Sequence, residues 1–75
     1  GLAAKLEEEA KVLFGQAENY MKSAVAFIDA LPADQQEMQK GNLVHCLNAL
    51  KTIYARLNNM DELKGINARL QTLMQ

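Results

Sequence analysis

The chain has 75 residues, 49% of them hydrophobic and 5% aromatic, with a formal net charge of −1. That length allows one domain at most, near the lower size at which a core holds without staples, and the apolar share excludes disorder over most of it. No basic run and few stacking aromatics are present, so nucleic-acid binding is not expected. Cys46 is the only cysteine, which excludes an internal disulfide and favours a reducing, intracellular compartment, cytoplasmic or nuclear. No apolar run approaches the roughly 18 residues needed to cross a bilayer, so no transmembrane segment is expected. The sequence opens with Gly1 rather than Met, and the expectation is one helical domain over 1–75 excised from a longer chain.

Gly and Pro are scarce, and Ala, Leu, Met, Glu, Lys and Gln dominate, a composition that favours helix throughout. The first helix is predicted over 2–31. Its apolar residues Leu6, Ala10, Leu13, Ala17, Tyr20, Ala24, Phe27 and Leu31 follow alternating steps of four and three, an unbroken heptad seam. Pro32 then stops it, because proline disfavours helical geometry at the preceding residue. A second helix is predicted over 34–57, with Asp34 and Glu37 spaced as a capping box. Gly41 weakens its start, and Asn42 is an alternative cap. Leu43, Leu47, Leu50, Tyr54 and Leu57 form its seam. The phase then slips at "LNNMDE", where Asn58 suits a left-handed residue and Asn59 a helix cap. A third helix follows over 60–74, with Met60, Leu63, Ile66, Leu70 and Leu73 or Met74 on its apolar side.

The expected fold is therefore all-α, a three-helix bundle. An alternative has four shorter helices, with a break near 18–19. The segment "ENYMKSAVAFIDALP" resembles the turn and second helix of a tetratricopeptide (TPR) repeat, and likewise a stretch of microtubule-interacting-and-transport (MIT) domains. The positions that match the TPR pattern are Phe14, Tyr20, Ser23, Phe27 and Ala30, while Glu18 and Asn58 stand where a turn glycine belongs. The resemblance implies a non-catalytic domain that docks peptides or short helices between its own helices.

Candidate chemistry is sparse. His45, in "NLVHCLNALK", faintly resembles the phosphorylated residue of a histidine phosphotransfer domain, but Asn48 and Ala49 depart from that pattern. The competing expectation is a partly buried histidine without chemistry. His45 and Cys46 are adjacent, so on a helix they point about 100° apart and do not converge on a metal. Cys46 is expected to be a small core hydrophobe. Glu7, Glu8 and Glu9 are expected to complement the dipole of the first helix, with Glu7 pairing to Lys11. No catalytic triad, phosphate loop or nucleotide fingerprint occurs. An enzyme, a cofactor and a metal site are all unexpected.

The stretch "SAVAFIDAL" carries more apolar surface than one packing neighbour would cover. Tyr20, Met21, Val25, Phe27 and Ile28 are the candidate partner-binding residues. The expected function is an interaction module that packs an amphipathic helix or short motif of a protein partner against its helical surface. A homo-oligomerising bundle is the alternative, and phosphotransfer through His45 is a distant third.

Overall fold

The computed structural model describes residues 1–74 and is all-helical: α1 (Leu2–Asp29), α2 (Ala33–Met38), α3 (Lys40–Arg56) and α4 (Met60–Leu73). The three long helices pack together as a bundle. Helix α3 lies between α1 and α4 and packs on both, while the short α2 touches α3 more lightly. The molecule is elongated, 52 × 20 × 15 Å, because α1 runs on past the others. At 28 residues α1 is roughly 42 Å long.

Helix α1 is continuous through Ala17–Glu18–Asn19, so the alternative with a break near 18–19 is corrected. No proline or turn glycine stands at 17–19, and Gly15 just before them keeps helical geometry without a positive φ. It ends at Asp29, two residues before the predicted boundary. The Ala30 N–H donates to the Ala26 carbonyl at 3.1 Å and the Leu31 N–H to the Ile28 carbonyl at 3.1 Å, after which Pro32 diverts the chain. The Gln36 amide then donates to the carbonyls of Asp29 and Leu31, both at 2.9 Å. A side chain of α2 thus satisfies acceptors that the end of α1 leaves free.

The predicted second helix is divided. Gln39 ends α2 and precedes α3, so 34–57 is two helices. The expected capping box does not form: Pro32 occupies the cap position and Asp34 lies in the first turn. Only Met38 is strongly apolar between Gln35 and Asn42, and Met38 is exposed, so little packing holds this segment in line with α3.

Between α3 and α4 the sequence signals hold. Asn58 adopts φ 58°, the Asn59 N–H donates to the Tyr54 carbonyl at 2.9 Å, and the Asn58 N–H donates to Ala55 at 3.3 Å. These two bonds around a left-handed residue make a Schellman stop. The Asn59 side chain then accepts from the Glu62 N–H at 3.5 Å, with Asp61 and Glu62 in the first turn of α4.

The core consists of Val25 and Ile28 from α1, Leu43, Cys46, Leu47, Leu50 and Tyr54 from α3, and Leu70 from α4. Met21, Ala24, Leu63, Ile66 and Leu73 pack around it. Cys46 is indeed a small core hydrophobe, and the α3 seam is buried from Leu43 to Tyr54. On α1 the buried face lies beside the predicted seam. Phe14, Met21, Val25 and Ile28 turn toward the bundle, one residue on from Leu13, Tyr20, Ala24 and Phe27. Two overlapping apolar stripes compete on this helix, and where it meets the bundle the one carrying Met21, Val25 and Ile28 wins. Burying Tyr20 would also require a partner for its hydroxyl.

Candidate functional site

With Val25 and Ile28 in the core, α1 is left with an outer apolar stripe. Leu6, Leu13, Tyr20 and Phe27 recur every seven residues and are 56%, 64%, 73% and 69% exposed. A seven-residue repeat on a helix lies nearly in one line, with a drift of about 20° per step. The charged residues of α1 beyond Ala10 are Lys11, Glu18, Lys22 and Asp29. Each is offset by two residues from Leu13, Tyr20 or Phe27, which places it about 200° around the helix. The stripe is accordingly uncharged over the length that carries Leu13 to Phe27, and residues 1–9 are exposed on every side.

Of the sequence-predicted site residues, the structure leaves Tyr20 and Phe27 on this surface. Val25 and Ile28 are corrected to core, 9% and 5% exposed, and Met21 is partly buried against them. Leu6 and Leu13 were missed as surface residues. Their heptad spacing with Tyr20 and Phe27 is the signal that marks them, although it equally suits a core. Phe27 also borders a shallow apolar depression with Leu31 and Met38, where the end of α1 meets α2.

On the other flank of α1 a groove of about 210 Å³ runs between α1 and α4. Leu47, Leu50 and Tyr54 line it together with Val25, Ala26 and Ile66, and Lys22, Asp29, Glu62 and Arg69 contribute its charges. Arg69 and Asp29 form an ion pair that ties the two flanking helices together. It also offsets the unfavourable position of a carboxylate at the C-terminal end of α1. Both partners are partly exposed, so the tie is weak in energy. The groove is smaller than the roughly 300–1,000 Å³ of a small-molecule site.

Tyr54 is 1% exposed. Burial, the bond its hydroxyl donates to the Glu18 carboxylate, and the charges of Glu18 and Glu62 all hold the phenol well above its usual value of 10.0. Its folded value is raised, so its contribution to stability is complete below pH 10 and is lost as the pH climbs through the folded value. Alkaline unfolding titrations are expected to lose up to about 1.4 kcal/mol per pH unit above pH 10 through this group. Tyr54→Phe should flatten that loss, and an unchanged slope would show that the phenol does not contribute.

His45 is exposed, rather than partly buried as expected, and Cys46 beside it is buried, so the two diverge. No group of three or more potential metal ligands occurs among the described residues. No described helix is long and apolar enough to cross a membrane. The Glu7–Lys11 pair does not form; the ion pairs among the described residues are Lys22–Glu18, at 3.9 Å, and Arg69–Asp29. Glu7, Glu8 and Glu9 also lie past the first turn of α1, away from the end of its dipole. No protein-family model matches this chain, and no curated protein or solved structure matches it either.

Proposed function

We propose that this chain is a non-catalytic protein–protein interaction module that packs an amphipathic helix against the outer stripe of α1. The observation that supports it is the exposed line of Leu6, Leu13, Tyr20 and Phe27 along one uninterrupted helix. Contiguous apolar surface beyond a few hundred Å² marks an interaction site on a soluble protein. Burying a Phe or Leu is worth roughly 1.5–3 kcal/mol, so four such residues in a row supply ample binding energy. Helix-in-groove recognition reads anchors at this kind of spacing. The TPR-like and MIT-like likeness of residues 18–32 points the same way, since those domains hold helices and short motifs. The dearth of catalytic constellations in the sequence favours binding over chemistry.

A labelled synthetic helix with leucine and alanine in a heptad seam serves as the probe. It is expected to bind the protein, and Tyr20→Glu with Phe27→Glu is expected to weaken binding by more than about a hundred-fold. Helical content should be unchanged, because both residues are mostly exposed. Equal binding to the variant would remove the outer stripe as the site.

A further inference from the structure

Resting on that role for the outer stripe, we infer that its occupant is the same helix of a second copy of this chain, laid antiparallel. The stripe alternates in size. Large residues stand at Leu6, Leu13, Tyr20 and Phe27, and an alanine precedes each of them by three positions. In a parallel pair like positions meet, so Tyr20 stacks on Tyr20 and Ala17 on Ala17. Layers would then be overfilled and empty in turn, which close packing does not tolerate. In an antiparallel pair every layer takes one large and one small residue, and each large side chain enters a hole bordered by alanine. With the two-fold axis near Gly15, Leu13 meets Ala17 of the second copy and Tyr20 meets Ala10. The ends follow in the same register, Leu6 on Ala24 and Phe27 on Ala3.

The overhang fits this arrangement. Residues 1–9 have no cover within their own chain. In the antiparallel register they lie along the Tyr20–Phe27 half of the other copy, and the two bundles stand at opposite ends. Charge permits it as well, because Lys11, Glu18, Lys22 and Asp29 all lie away from the seam. Glu9 and Glu7 flank the seam on its two sides and fall beside Ser23 and Met21 of the second copy. The area is adequate too. Tyr20 and Phe27 together hold roughly 200–350 Å² of coverable surface. Adding both leucines and the helix flanks brings each copy toward the roughly 800 Å² of a stable interface.

Sedimentation or light scattering at about 100 μM, above the dissociation constant expected for such an interface, should give twice the 8.3 kDa of one chain. Spin labels at Gln16→Cys and, separately, Ser23→Cys then read the orientation, with native Cys46 buried in the folded protein. Antiparallel pairing offsets the two Gln16 labels by about 3 Å along the helix and the two Ser23 labels by about 24 Å. Parallel pairing leaves both offsets near zero. A dimer with a short Gln16 and a long Ser23 distance, reduced to monomer by Tyr20→Glu with Phe27→Glu, supports the inference. A monomer, equal label distances, or a dimer indifferent to that double variant overturns it. A monomer that still binds the heptad probe through Tyr20 and Phe27 would overturn self-pairing alone and leave the interaction role standing.

Discussion

Val25→Glu combined with Ile28→Glu is expected to abolish cooperative folding, with helical circular dichroism falling well below that of the parent. Both side chains are in the core, and neither has a basic neighbour in the core cluster to accept a carboxylate. A buried, unpaired charge costs several kcal/mol even when the group protonates to escape it. Two of them are comparable to the roughly 4–11 kcal/mol that a domain of this length has in total. Tyr20→Glu with Phe27→Glu is the matched comparison. Those residues lie on the same helix, one of them next to Ile28 in sequence, yet at a concentration low enough for the parent to be monomeric that pair should leave the thermal midpoint within a few degrees, as surface changes do. Should the two double variants behave alike, the division of α1 into a core face and an outer stripe would be wrong.

Leu47→Ala is expected to lower the unfolding free energy by about 2–5 kcal/mol in urea titrations. Leu47 is 0% exposed, at the middle of the central helix, where it is part of the cluster joining α1, α3 and α4. Helix α3 is the element both outer helices lean on, so a cavity there weakens two interfaces at once. Surrounding side chains in a small domain have few ways to collapse into the gap, which places the effect toward the upper end of that range. A loss below about 1 kcal/mol would mean that the layers repack freely around α3.

Much of this fold was legible because local chemistry and tertiary packing agree. The stop at Pro32, the left-handed Asn58, the Asn59 cap and the seam from Leu43 to Tyr54 each follow from residue types whose preference nothing opposes. The break at Gln39 was not legible in position. It depends on how little α2 buries, which the run from Gln35 to Asn42 suggests but does not locate. The site was half legible. A heptad seam on α1 is plain in the sequence, but two seams one residue apart overlap there. Periodicity alone does not tell which of them meets α3. Of the candidate partner-binding set, Tyr20 and Phe27 lie exposed, whereas Val25 and Ile28, which belong to the same wide apolar arc, are buried. Between Lys11 and Asp29 neither stripe carries a charge, so charge does not separate the two faces either.

The continuity of α1 across residues 17–19 has a consequence for the entropy of association. Ordering a backbone residue costs about 1–2 kcal/mol, and a free segment as short as residues 1–9 would be mostly unfolded in water. Here those residues extend a helix already nucleated and held by the bundle, so each added turn needs only propagation. A partner that covered this projecting arm would meet it largely pre-organised, leaving most of the free energy from covering its leucines for affinity. A chain broken at Glu18–Asn19 would have carried the same side chains and spent that free energy on straightening itself.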